Sequence, residues 1–584
     1  MCNDMGKTRA MSDGTVAYFS MEVALSDEIP TFSGGLGVLA GDFLRSGADL
    51  GVPIVGVTLL YRHGFFNQGL DGAGRQSERA VRWTPADHLE RLDARVTVGV
   101  GGRSIVVGVW RHVLQGIDGC VVPVYFLDTQ LPENARADQG ITDRLYLGTR
   151  VERLLQEAVL GLAGPAVLRE LGHTEIATFH MNEGHAALVP VALLSDEMES
   201  PLADASPADL EAVRERCVFT THTPVPAGHD VFTPEVMQEV LGTDLSEGLR
   251  AIGCLEGGSL NMTVLGMYFS SFVNGVAQRH GEVSRAMFPQ YRIDAITNGV
   301  HVPTWVAPSS ARLFDRHLPR WRHDNTMLRY AGCIPLEEIT AAHAEAKQIL
   351  FDEVALRCGI DLDPGALTLG LARRATPYKR NDLILDRPDA LRTLAAEVGP
   401  VQVLFSGKAH PSDMAGKELI ARITARAKEL AGVVSIAYLE DYGMSLASLL
   451  VAGVDVWLNT PVAPHEASGT SGMKAALNGV PSLSTLDGWW IEGWFEGVTG
   501  WAIGTDRGPG AHTVDADPEV DAADGAELHR VLTEVVAPLY YQQPDGFAAV
   551  RRSAIALNGS FFTSQRMMTE YAARAYRRTG FPNL

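Results

Sequence analysis

Nine short, continuous apolar runs recur along this chain, at 16–20, 53–59, 176–180, 218–221, 367–372, 401–406, 434–439, 454–458 and 481–486. A strand with one face in water alternates apolar and polar residues. A run without alternation suits a strand buried on both faces, as in a parallel sheet covered by helices. Helical patterns fill the gaps. Within 416–430, Leu419, Ile423, Ala427 and Leu430 share one face. The β-then-α alternation predicts an α/β class with parallel sheets. The runs form two series, the first ending near 298–305 and the second opening after a charged, helical stretch. A chain of 584 residues is too long for one core. Two doubly wound parallel-sheet domains facing across a cleft are expected, with ligands at the carboxyl ends of the strands.

The charge balance is acidic: 49 Lys and Arg against 70 Asp and Glu, a net charge of −21. Such a surface repels nucleic acid and anionic membranes, so neither is an expected partner. A phosphate-bearing substrate needs a local cationic pocket that outweighs the global field. Cys2, Cys120, Cys217, Cys254, Cys333 and Cys358 form no CxxC pair and no zinc spacing with histidine. They read as thiols of a reducing compartment, no metal is expected, and a cytoplasmic location follows. The segment 1–12 is polar and lacks a signal-peptide core; the most apolar stretch, 52–60, is too short to span a membrane. The segment 504–524, rich in Gly, Asp and Pro, reads as a surface loop.

Four stretches carry chemistry. The first is Glu466-Ala-Ser-Gly-Thr-Ser-Gly-Met-Lys474. Here 469–472 reads as a turn and 473–477 as a helix start, with free backbone N–H groups that suit an anion. A lysine beside a phosphate cradle can hold pyridoxal phosphate as an imine; a solvated lysine on a helix is the plain alternative. The second, Arg373-Arg374-Ala-Thr-Pro-Tyr378-Lys379-Arg380, sets four cations behind an apolar strand. Arg offers a planar fork and Lys a point charge, which together can neutralise phosphate; the alternative is a basic surface patch. The third is Ser33-Gly-Gly35-Leu-Gly37, where glycines let backbone approach a ligand. It is neither a dinucleotide fingerprint nor a Walker loop. The fourth group, Asn182-Glu-Gly-His185, Thr221-His222-Thr223 and Thr297-Asn298-Gly299, puts sugar-binding side chains after short apolar strands. Two other uses compete: metal binding, although His180-x-x-x-x-His185 is not the H-E-x-x-H pattern, and the commoner loop and cap duties.

Together these stretches resemble the α-glucan (glycogen, starch, maltodextrin) phosphorylase family, bacterial short-type branch. Further matching motifs are Tyr61-Arg-His-Gly-Phe-Phe-Asn-Gln68, Val273-Asn-Gly-Val-Ala277, Ser406-Gly-Lys-Ala409 and Leu439-Glu-Asp-Tyr442, so the resemblance runs from Tyr18 to about Tyr576. It implies a glycosyltransferase-B architecture. The expected division is 1–305 for a glucan and catalytic domain, 306–560 for a cofactor domain, and 561–584 for a C-terminal helix returning to the first domain. It implies pyridoxal phosphate on Lys474, with the cofactor phosphate held near Gly35, Thr470, Ser471 and Arg374. Arg374 and Lys379 would bind inorganic phosphate. His222, Asn298, Glu466, Ser468, Gly469, His185 and Asn182 would line the sugar site. The implied reaction is retaining phosphorolysis of an α-glucan or maltodextrin to glucose 1-phosphate, with the cofactor phosphate passing a proton to inorganic phosphate. Homodimers are common in that family, though no interface is evident in this sequence; phosphorylation control and nucleotide activation are not expected. Pro377 departs from the family's usual wording. Two other readings compete: a nucleotide-sugar transferase of the same fold, or a non-catalytic glucan binder.

Overall fold

All nine runs are strands in the computed structural model, which describes residues 14–146, 148–198, 200–509 and 517–576. The first sheet has nine strands: β1 (Thr15–Ser20), β2 (Ile54–Leu59), β3 (Glu90–Val100), β4 (Arg103–Gln115), β5 (Val121–Asp128), β6 (Ile176–Asn182), β7 (Cys217–Thr220), β8 (Phe272–Gly275) and β9 (Asp294–Ala295). Their spatial order is β9-β8-β7-β6-β1-β2-β5-β4-β3. Pairing is parallel from β9 to β5 and antiparallel through β4 and β3. The β3–β4 hairpin turns on Gly101 and Gly102, with φ of 56° and 73°. A two-residue turn with both φ values positive suits the strand twist and favours glycine at both places.

The second sheet holds β10 (Leu367–Ala372), β11 (Val401–Ser406), β12 (Ser435–Leu439), β13 (Val456–Asn459), β14 (Ser482–Thr485) and β15 (Gly500–Ile503). It is parallel throughout, in the order β12-β11-β10-β13-β14-β15. The strand order reverses between β10 and β13 and, in the first sheet, between β1 and β6. Loops diverge to opposite faces at such a point and leave a crevice. The chemistry-bearing stretches leave the sheets there: Glu22 after β1, 182–185 after β6, 373–380 after β10 and 459–474 after β13.

Two readings of local structure are corrected. The last third of the 504–524 segment is not loop: a helix spans Pro518–Val531. Asp517 accepts the Glu519 N–H and Pro518 takes the first turn, so the Asp and Pro content is a helix start. Residues 510–516 lie outside the described residues, as do 1–13 with Cys2, and 577–584. The expected turn at 469–472 is a single residue, because the helix begins at Thr470. Gly469 makes the whole reversal in the left-handed region, at φ 82°.

A C-terminal helix, Ser564–Arg574, lies on the first sheet. Met567, Met568 and Tyr571 pack with Val16, Tyr18 and Phe43. The Tyr571 hydroxyl accepts from Asn274 Nδ2 at 2.9 Å, and the Tyr576 hydroxyl meets His180 Nδ1 at 2.6 Å. The two sheets are tied directly. Asp27 accepts the N–H groups of Met444 and Ser445 at 2.7 and 2.8 Å, capping a helix (Met444–Gly453) of the other half. Gln68 and Asp441 exchange hydrogen bonds at 3.0 Å each. Asp27→Ala removes that cap and is expected to cost about 1 kcal/mol, read as a lower urea midpoint.

Candidate active site

Lys474 lies inside the Thr470–Leu477 helix, only 7% exposed. Its Nζ stands 3.7 Å from the centre of the Trp305 ring. Among the described residues no hydrogen bond or ion pair reaches that amine. Trp305 is held in turn: its Nε1 donates to Asp42 at 2.8 Å, and Asn478 Nδ2 donates to its carbonyl at 2.8 Å. Burial lowers the Lys474 amine to about 8, with Asp42 opposing. A buried lysine with a neutral fraction at ordinary pH is a nucleophile.

The glycine loop faces this region from the first sheet. Glu22 is buried; its Oε2 accepts the N–H groups of Ser33 at 2.6 Å and Gly34 at 3.3 Å, and its Oε1 accepts the Tyr146 hydroxyl at 2.9 Å. Burial raises the Glu22 carboxyl, while those donors and Arg374 oppose the rise. A Cβ on Gly37 would lie 2.9 Å from Glu22 Oε2 and 2.7 Å from Phe32 Cβ, so this carboxylate explains the glycine. The helix Gly35–Leu50 begins without a side-chain cap, and nothing crowds Gly35. Its first N–H groups are therefore available to an anion. Arg374 reaches over from the second sheet, its Cδ and Nε 4.0 Å from where a Gly34 Cβ would be.

The four cations of 373–380 divide their work. Arg380, in the left-handed region at φ 48°, is structural: it bonds the carbonyls of Thr460 and Pro461 and pairs with Asp521 and Asp524. Arg373 donates to Asn459 Oδ1 at 2.6 Å and Thr460 Oγ1 at 3.0 Å, and burial lowers it to about 10. Lys379 pairs with Glu466. Arg374 is exposed. The Glu466 loop is anchored by Asp487, which accepts the Glu466 N–H at 2.7 Å and the Gly488 N–H at 2.8 Å. Burial raises the Asp487 carboxyl to about 8. Trp489 N–H donates to the Ser468 carbonyl at 2.9 Å. Ser471 Oγ accepts from Trp457 Nε1 at 3.1 Å.

On the first-sheet wall, His222 Nε2 meets Asn182 Oδ1 at 2.6 Å, and its backbone N–H donates to Glu183 Oε2 at 2.7 Å. Burial, then His280, holds the His222 ring well below the usual range, so it is neutral. Asn298 is buried, and Arg566 Nη2 donates to its carbonyl at 2.9 Å. His185 meets Arg153 Nη2 at 2.8 Å. The described contacts thus join the predicted residues in groups: Arg374 with the glycine loop, Lys379 with Glu466, and His222 with Asn182. Asn298, His185 and Lys474 make none with these groups. The polar atoms Asn298 Oδ1, Ser468 Oγ, Arg373 Nε, Thr376 Oγ1 and His185 Nδ1 are closed off from solvent and have no hydrogen-bond partner among the described residues.

Sequence reasoning did not single out Glu22, Trp305, Asp487 or the separate duty of Arg373. Glu22 had a signal, an acidic residue two positions past β1 and ahead of a glycine loop. Asp487-Gly488 just after an apolar run was a weaker one. Trp305 had none.

Comparison with known proteins identifies relatives of this chain. The profile of a family described as carbohydrate phosphorylase matches residues 24–113 and 229–496. A maltodextrin phosphorylase of Thermococcus litoralis is 36% identical over 96% of this chain and 70% of its own length. Glycogen phosphorylases are similar too. That of Mycobacterium tuberculosis is 34% identical over 97% of this chain and 72% of its own, and that of Aquifex aeolicus 33% over 96% and 86%.

Proposed function

As the chain belongs to the carbohydrate phosphorylase family, we propose that it is an α-glucan phosphorylase, transferring a non-reducing-end α-1,4-linked glucose to inorganic phosphate and releasing glucose 1-phosphate with retention. The observation that carries the reading is the buried Lys474 amine, lowered to about 8 over an indole face. That amine fits pyridoxal phosphate, with the uncapped start of Gly35–Leu50, Thr470 and Ser471 for its phosphate. When bound, the cofactor supplies a second phosphate that can hold a proton beside the substrate phosphate.

The chain's own residues do the rest. Arg374 and Lys379 bind inorganic phosphate and offset the repulsion between the two phosphates, since like charges at contact cost several kcal/mol (about 4 per unit pair at an effective dielectric of 20). Glu466 keeps Lys379 in place. Asn298, Glu466, Ser468, Gly469, Asn182 and His185 hold the glucosyl unit. The His222 carbonyl faces the positive charge that develops on that unit as the glycosidic bond breaks. The same reading places the protein in a reducing cytoplasm, in line with free, buried Cys217 and Cys254. No helix of the described residues is long and apolar enough to cross a membrane.

The test is an absorbance spectrum of the protein, then borohydride reduction and peptide mapping. A near-ultraviolet band fixed on Lys474 is expected. No cofactor after purification with pyridoxal phosphate would sink the reading and turn the donor screen to nucleotide sugars. The pH dependence follows from the lowered amine. Only its neutral form attacks, so cofactor uptake by the stripped protein should rise with pH through about 8, not through the ordinary lysine range. Stopped-flow absorbance checks this.

A further inference from the structure

One cluster on the first-sheet wall is built around an arginine. The helix Arg150–Ala158 carries Arg153 and Glu157, the turn after β6 carries His185, and Asp230 follows the 226–229 segment. The ligand-type atoms of Glu157, His185 and Asp230 lie within 4.8 Å of one another, the spacing of a cation site. Here the cation belongs to the chain. Arg153 contacts Glu157 Oε1 at 3.1 Å, Asp230 Oδ2 at 2.9 Å and His185 Nε2 at 2.8 Å. Its guanidinium lies 4.5 Å over the Tyr146 ring, and Tyr146 donates to Glu22, which holds the glycine loop. Arg150 makes a second pair with Asp230 at 3.1 Å.

A guanidinium has donors only. The contact with Arg153 therefore requires His185 Nε2 to accept, and the ring proton must sit on Nδ1. That atom is buried and has no partner among the described residues. Asp230 Oδ2, at 3.6 Å from Nε2, would pull the proton to the other nitrogen if the arginine were absent. We infer that Arg153 is a positioning residue, fixing His185 as the neutral Nδ1–H tautomer so that its imidazole donates a hydrogen bond to a hydroxyl of the bound sugar. This rests on the reading of His185 as a sugar-contacting residue.

The charge setting agrees. Burial, then Arg153, pushes the His185 ring down to about 3, with Asp230 opposing. Burial, then Asp230, raises Glu157 well above the carboxylate range, with Arg153 opposing. Asp230 is held low against its burial, chiefly by Arg153. Burial thus favours the proton on Glu157 while Arg153, with Arg150 beside it, favours the carboxylate of Asp230, and His185 does not titrate in the working range.

Arg153→Met reverses the tautomer. The sugar KM is expected to rise about tenfold near neutral pH, the worth of one good hydrogen bond. Without the arginine the ring's pKa rises, and the protonated ring donates from both nitrogens. The variant's KM should therefore fall back as pH is lowered, while the parent stays flat. Arg153→Lys, which can donate to Nε2, should recover to within about threefold. A flat profile and parental KM in Arg153→Met, with His185→Phe impaired, would overturn the inference alone. An unimpaired His185→Phe would overturn the sugar-contact reading beneath it. Should Arg153→Met fail to fold, 15N NMR of histidine-labelled parent protein decides, with His185→Phe assigning the signal. A pyrrole-type Nδ1 supports the inference and a pyrrole-type Nε2 overturns it.

Discussion

Lys474→Ala should yield a folded protein that retains no pyridoxal phosphate and phosphorolyses glucan about 10²–10⁴-fold more slowly, the span a positioned proton donor supplies. The fold should survive because alanine is the best helix former and the Lys474 amine makes no hydrogen bond or ion pair among the described residues. The loss is specific to the amine. Trp305, Asp42 and Asn478 still shape the pocket, yet nothing in it can bond the cofactor. The check is a near-ultraviolet spectrum beside an initial-rate assay for glucose 1-phosphate. Full activity without the band would end the reading of Lys474 as the cofactor's anchor.

Arg374→Ala is expected to lower kcat/KM for inorganic phosphate by about 10²–10³-fold, the scale of losing one preorganised donor at a charged centre. Arg374 is exposed, reaches over the glycine loop, and has no ion-pair partner among the described residues. Lys379 is already engaged by Glu466, and Arg373 is tied to Asn459 and Thr460. Arg374 is therefore the cation best placed to meet an incoming dianion. Arg374→Lys should recover only part of the loss, because a point charge cannot replace the planar fork. Initial rates at varied phosphate and fixed glucan read this. An unchanged phosphate KM and kcat would remove Arg374 from the phosphate site.

Several features were legible because they depend on local pattern. Strands buried on both faces must be apolar throughout, so β1, β2, β10 and β11 stand out. The hairpin β3–β4 escaped the same search. Much of β3 is exposed or half-buried, so the run is broken by Arg, Asp and Glu. The start of the Pro518–Val531 helix escaped because its Asp-Pro cap has a loop-like composition. The motif residues Lys474, Arg374 and Glu466 were legible by resemblance, whereas Glu22 and Asp487 were not. Each of these two acts on backbone N–H groups supplied by a segment elsewhere in the chain, and no spacing rule encodes that.

The sequence by itself determined the α/β class, the two series of buried strands and the identity of the motifs, since these follow from side-chain periodicity and short-range order. The tertiary structure alone decided what each charged group does. Arg380 is structural and Arg374 is not, because only the first finds carbonyls and carboxylates around it. Lys474 has a lowered amine because helix and indole exclude water from it. Glu157 is pushed up by burial and by Asp230, whereas Asp230 is held low against its burial chiefly by Arg153. Protonation state and hydrogen-bond role depend on burial and on partners distant in sequence, and those exist only once the chain has folded.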